Sequence, residues 1–236
     1  MTASGITTAA LSAVPERNEW SSNATRNLLE AIAQTGQMVG ATILIGGLLG
    51  LVLGITLFAT RKGGILPNRT IYTIGNLLVN FIRPIPFIIF ITAVRPLTVA
   101  VMHATIGTKA VTFPMIIACA MATSRIVEQN LIDSDPGVIE AGRAMGASRL
   151  HILFRILIPE ALAPLILGYT YLFVGVVDLS AMAGAIGGGG LGSFALREGF
   201  ARYNDYVTWA AVGVIIVIVQ VVQQLGNTLA RAVLRR

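Results

Sequence analysis

Residues 38–60 read MVGATILIGGLLGLVLGITLFAT, without one charged side chain. Wound as a helix at ~1.5 Å per residue, such a run is long enough to cross a hydrocarbon core of ~30 Å. The chain as a whole agrees: of its 236 residues 55% are hydrophobic and 12% charged, and its mean hydropathy is +0.77. A soluble domain carries about 25% charged residues, so one small aqueous core would leave this chain too little polar surface to cover it. The fold class that follows is all-α, a polytopic membrane protein. Inside the run, Gly46, Gly50 and Gly54 recur at every fourth residue. That spacing forms a smooth face on which a second helix can come close.

Working outward, residues 26–37 carry Leu28, Leu29, Ile32 and Ala33 at helical spacing and read as an interfacial lead-in. Residues 1–25 are small and polar, with no apolar core of a signal peptide, and are expected to form a flexible extracytoplasmic N-terminus. Further spans are expected at about 71–94, 110–132, 160–182 and 206–230. The second is interrupted by Arg83-Pro84-Ile85-Pro86, where missing N–H groups and the restricted residues before proline should kink or break the helix. Five spans place Arg61, Lys62, Arg69, Arg125, Arg143, Arg149, Arg155, Arg231, Arg235 and Arg236 on one side. Arg17, Arg26, Arg95, Lys109, Arg197 and Arg202 fall on the other. Under the positive-inside rule the N-terminus is then outside, with the loop after span three and the C-terminus in the cytoplasm.

The net charge of +6 needs no nucleic acid to explain it. Basic residues in a membrane chain gather in cytoplasmic loops, and no basic run with interleaved aromatics is present. The single cysteine, Cys119, and the well-separated His103 and His151 form no metal-ligand spacing, so no cofactor is expected. No GxSxG, HExxH or paired carboxylates point to catalysis, and no internal repeat is visible.

One loop, 133–158, is unlike the rest. Asp135 is a good N-cap and Pro136 suits the first helical position, so a short helix over 136–145 should stop at Gly146. Ser148 can cap a second short helix carrying Leu150, Ile152, Leu153, Ile156 and Leu157, and Pro159 starts the return to the membrane. On physics alone this is either an amphipathic loop at the interface or a docking element for a soluble partner.

The spacing Glu140-Ala141-Gly142-x3-Gly146-x9-Ile156-x-Ile158-Pro159 resembles the cytoplasmic motif of permease subunits of binding-protein-dependent ABC importers. Gly142 stands where that family often has Ala, and Ile158 where it often has Leu. Together with RPIPFIIF (83–90), IPEALAPLI (158–166) and SAMAGAIGGGGLG (180–192), the motif resembles the methionine-uptake branch, from about Gln37 onward. The resemblance implies a bacterial inner-membrane permease, residues 26–236 being its transmembrane domain. It implies a homodimer, two cytoplasmic ABC ATPase subunits, an extracytoplasmic substrate-binding protein and an amino-acid substrate. It also implies that Glu140, Ala141, Gly142, Ala144, Met145, Gly146, Ala147 and Leu150 seat in the ATPase.

Five further residues are candidates for the translocation pathway. An ionised Arg83 in an apolar run is costly, so it serves either a pathway or the carbonyls freed at the proline break; Pro86 makes that break. Asp178, beside Val176, Val177 and Leu179, is either an interfacial acid or a charge offered to a substrate's amine. Ser180 and Met182 follow it, Met182 being either packing or a flexible gate. GAIGGGGLG (184–192) is read as a flexible outer turn whose glycines let two chains' backbones approach. Arg83 and Asp178 also leave open an ion-coupled secondary transporter of a small amine-bearing solute, against which the coupling motif and the missing repeats count.

Overall fold

A computed structural model describes Trp20 and residues 23–234. Most of the expected N-terminal segment 1–25, with Arg17, lies outside the described residues, as do Arg235 and Arg236. Helix α1 runs over Ala24–Thr60, α5 over Thr108–Ile132, and α10 over Asp205–Leu234; α8 spans Leu162–Ala183. Between α1 and α5 lie α2 (Arg69–Ile82), α3 (Phe87–Ala93) and α4 (Arg95–Met102). The loop before α8 holds α6 (Pro136–Ala144) and α7, which starts at Arg149–His151, continues as a π-wound stretch Ile152–Leu157 and ends at Ile158–Glu160. Helix α9 is Gly190–Phe194. The described residues contain no strand.

The apolar run that identifies the first span is only its second half. Helix α1 starts at Ala24 rather than Met38, because the lead-in continues the same helix and buries Ala31 and Thr35 ahead of Met38 and Val39. Its inner half carries the glycine face, which packs on α5 as the spacing predicts. A Cβ at Gly46 would lie 2.7 Å from the Ile116 carbonyl, one at Gly50 2.6 Å from that of Ala120, and one at Gly54 2.6 Å from Val127 Cβ. The two backbones touch where only glycine fits.

The second span breaks as the prolines require, yet it does not simply kink. Helices α2 and α3 meet at 108°. Pro84 and Pro86 have no N–H to continue the helical ladder, and Ile85 N–H turns back to the Ile82 carbonyl at 3.1 Å. Residues 87–94 therefore do not extend the axis of 71–82, as one straight span would.

The helix ends form two groups. At one, called here the loop end, Phe58, Ala59 and Ile65 pack with Val127 and Leu131 of α5, with Ile152, Leu153 and Leu157 of α7, and with Leu165 of α8. At the far end the start of α5 meets the end of α8, where Gly107 N–H donates to the Gly187 carbonyl at 3.2 Å. Between them Met38, Phe87, Phe90, Met115, Cys119, Leu172 and Val176 form the main core. Helix α10 packs on α8, where a Cβ at Gly226 would overlap Thr170. Its other face leaves Tyr206, Trp209, Val217, Val221, Leu225 and Leu229 exposed.

The glycine-rich turn is less free than the sequence reading expects. Residues 184–192 are hydrogen-bonded to α1 of the same chain. Gly190 N–H donates to Gln34 Oε1 at 2.7 Å, and Leu191 N–H to Thr35 Oγ1 at 2.9 Å. Gly187, Gly189 and Gly190 take φ of +90°, +82° and +76°, values open to glycine and strained for other residues.

Candidate functional site: the loop element and the polar faces

Helix α6 is closed at both ends by the residues that the sequence singles out. Asp135 Oδ1 accepts from Gly137 N–H at 2.8 Å. At the other end Gly146 has φ +76°, its N–H bonds the Arg143 carbonyl at 3.0 Å, and Ala147 N–H bonds that of Gly142 at 3.0 Å. That paired arrangement is the Schellman stop. Ser148 Oγ then caps α7 by accepting from His151 N–H at 3.3 Å. Two short helices thus meet at a fixed corner.

Of the predicted coupling residues, Glu140, Ala141, Ala144, Met145, Gly146 and Leu150 are exposed, Ala147 is half-buried and Gly142 is buried. Met145 is 77% and Leu150 56% exposed, an unusual presentation of large apolar side chains beside a charged helix. Gly142 faces the opposite way. A Cβ there would stand 3.1 Å from Ile156 Cδ1 and 3.2 Å from Ile152 Cγ1. The glycine that costs an isolated helix ~1 kcal/mol relative to Ala is thus where α6 rests on α7. Since Ile152, Leu153 and Leu157 are buried against the ends of α1 and α5, the element is bolted to the bundle while its outer surface is free.

The candidate pathway residues do not form one cluster. Arg83 and Pro86 are exposed at the break, and among the described residues the Arg83 side chain has no hydrogen-bond or ionic partner. Arg83 borders a cavity of about 180 Å³ that also reaches Leu179 of α8. Asp178 is exposed and Met182 half-buried, while Ser180 is buried with its hydroxyl donating to the Val177 carbonyl at 2.7 Å.

Two features escaped the sequence reading. Arg125, assigned there only to a loop side, is nearly buried and pairs with Glu128, their side chains being 14% and 5% exposed. Its second terminal nitrogen reaches Asn76 and, at 2.6 Å, Asn80 of α2. The ion pair lies within α5, and the Arg125 bonds to the two asparagines tie α2 to α5. Moreover Arg69, Thr73, Asn76, Asn80 and Arg83 follow each other at steps of four and three along α2, so they share one face. The neighbouring face, Tyr72, Val79 and Ile82, packs on Leu53, Leu57, Ala120 and Met121.

Comparison with known proteins adds the following. The family described as "Binding-protein-dependent transport system inner membrane component" matches residues 46–235. The chain is 38% identical over 206 residues to the "Probable D-methionine transport system permease protein MetI" of Vibrio cholerae, covering 87% of this chain and 92% of that one. To the "Methionine import system permease protein MetP" of Bacillus subtilis it is 36% identical over 180 residues, 76% of this chain and 81% of that one. Among solved structures it is similar to a chain of the inward-facing MetNI methionine ABC transporter. The TM-score is 0.86 and the identity 34%, with 91% of this chain and 99% of the other covered. A chain of an amino acid ABC transporter, at TM-score 0.74 and 16% identity, shares the fold.

Proposed function

We infer the function of this chain from its family: it belongs to the inner-membrane components of binding-protein-dependent transport systems. It is a multi-pass, non-catalytic subunit of an ABC importer. On that premise it is one half of a homodimeric pore that imports an amino acid, methionine, by alternating access. Two cytoplasmic ATPase subunits drive it and an extracytoplasmic binding protein feeds it. The methionine assignment draws on what the Vibrio, Bacillus and MetNI relatives are named for.

The observation that carries the reading is the α6–α7 element. Its capped, glycine-stopped geometry presents Met145 and Leu150 outward while Gly142 anchors it to the bundle. In this reading Glu140, Ala141, Gly142, Ala144, Met145, Gly146, Ala147 and Leu150 form the seat for the ATPase. Loop 133–158 and the C-terminus are cytoplasmic, residues 1–25 are outside, and 26–236 are the transmembrane domain. Arg83, Pro86, Asp178, Ser180 and Met182 line the pathway. The positive charge collected at the loop end, Arg61, Lys62, Arg143, Arg149 and Arg155 among it, supports the orientation.

The test is reconstitution. The permease and its ATPase, in lipid vesicles with the binding protein, should take up radiolabelled methionine when ATP is supplied on the ATPase side. Uptake that follows an imposed proton or sodium gradient and ignores ATP would instead establish the ion-coupled transporter.

A further inference from the structure

The break between α2 and α3 opens a cavity of about 180 Å³ between α2, α3, α5 and α8. Its walls are apolar, with Phe87, Phe90, Met121, Ala122 and Leu179 among them, and Arg83 is the one charged residue that lines it. Counting from Arg69 at ~1.5 Å per residue places Arg83 roughly 21 Å along α2, about two thirds of the way across a hydrocarbon core of ~30 Å that starts at Arg69. On α5 the lining residues Ala118, Met121 and Ala122 lie roughly 15–21 Å from Ile132 by the same rise, so two helices place the cavity at one depth.

A guanidinium held at that depth with no partner among the described residues is costly. It is not needed to hold α2 in place, because Arg125 already does that through Asn76 and Asn80. Nor has it claimed the backbone freed at the break. Pro84 carries no N–H for the Asn80 carbonyl, which stays open one turn below Arg83. A planar five-donor cation beside an apolar slot is complementary to one kind of molecule. It has a carboxylate for the fork and a slim apolar side chain for the slot.

We propose that this cavity is a substrate subsite for a zwitterionic amino acid with an unbranched apolar side chain. Its carboxylate binds Arg83 and its side chain lies between Phe90 and Met121. The proposal rests on the importer reading above and adds to it that the permease itself holds and selects the substrate between its helices. The polar face of α2 below Arg83 then offers the departing zwitterion a wet wall.

Equilibrium binding of radiolabelled methionine to the purified permease–ATPase complex, without binding protein, tests the subsite separately from transport. Wild-type complex should bind saturably. Norleucine should displace the label, whereas methioninamide, which lacks the carboxylate, and glutamate, whose side chain is charged, should not. Arg83→Gln and the slot-filling Ala122→Phe should each weaken binding at least tenfold, and Arg83→Lys should weaken it less than Arg83→Gln. In each variant the ATPase subunits should still co-purify. A wild-type complex that transports methionine but binds none saturably overturns the subsite and leaves the importer reading standing, as do Gln and Phe variants within twofold of wild type. Failure of ATP-driven uptake by the wild type overturns the importer reading itself.

Discussion

The glycine seam between α1 and α5 predicts that one substitution, Gly→Ala, has opposite signs at different positions of this chain. In a helix interior Ala is favoured over Gly by ~1 kcal/mol. Gly40 and Gly213 have no atom within 4 Å of where a Cβ would stand. Gly40→Ala and Gly213→Ala should therefore stabilise the chain by something up to ~1 kcal/mol. At Gly54 the new Cβ would stand 2.6 Å from Val127 Cβ and 2.5 Å from the Ser124 carbonyl. Carbon atoms in good contact are ~3.5–4.0 Å apart, so α1 must retreat by on the order of 1 Å. Such a gap forfeits about a quarter to a half of each contact well along the seam, and overpacking of this kind costs ~1–3 kcal/mol. After the propensity gain, Gly54→Ala should be destabilising by up to about 2 kcal/mol. Gly50→Ala should behave alike, and the double variant should cost less than the two together, because the second methyl meets helices already apart. The chain carries its own reporter. Its one cysteine, Cys119, is buried on α5 at the Gly46 contact, so heating with a thiol-reactive dye reads the opening of this seam on the permease. Labelling of Gly54→Ala at or above the wild-type temperature, or alongside Gly40→Ala, would refute the seam.

Three further outcomes follow from other parts of the molecule. Gly146→Val places a β-branched residue at φ +76°, a strain of about 1–2 kcal/mol or more. No neighbouring atom lies within 4 Å, so backbone strain alone should reduce ATPase co-purification and uptake, while Gly146→Asn keeps most of both. Arg125→Met leaves Glu128 buried without its partner and should cost ~3–5 kcal/mol; Arg125→Met with Glu128→Gln should recover part of the loss in the same thermal assay. Asp178→Asn removes an exposed acid while keeping its shape. If Asp178 offers charge to a substrate amine in the pathway, uptake slows with assembly unchanged, and wild-type rates from pH 5 to 8 would remove it from the pathway.

What could be read in advance divides along a physical line. Features set by a few neighbouring residues were legible. The N-cap at Asp135, the stop at Gly146, the cap at Ser148 and the break at Pro84 and Pro86 depend on side chains within one turn of where they act. Features decided across the bundle were not. Whether residues 184–192 flex or lock depends on Gln34 and Thr35, more than a hundred residues upstream. The lead-in 26–37 becomes part of α1 because the same turn and α9 cover its buried face. Arg125 looks like a loop cation until α2 delivers Asn76 and Asn80 to it. The polar face of α2 lies between these cases. Its four-and-three spacing is plain in the sequence, but the apolar residues between its members make the segment read as an ordinary span.

The same contacts decide how a push on the loop can reach the membrane. A force on α6 passes through Gly142 to Ile152 and Ile156 of α7, and Ile152 with its neighbours Leu153 and Leu157 is fully packed against Phe58 and Leu131. Close-packed interiors transmit displacement rather than absorb it. Along the glycine seam α1 and α5 have no slack to slide apart, and Tyr169 Oη of α8 donates to the Gly47 carbonyl at 2.8 Å, tying a third helix to the pair. These three helices should therefore move as one body when α6 is displaced. The element joined to them less extensively is the bent α2–α3 segment. Its α2 part is held to that body by one packed face and by the Arg125 bonds to Asn76 and Asn80, and its α3 part by Phe87, Phe90 and Ile91 in the main core. Under the proposed coupling, an alternating-access stroke driven from the loop has its stiff lever in α1, α5 and α8. Its compliant joint is at residues 82–87, beside the Arg83 cavity, so the same motion that turns the pore would reshape the proposed subsite.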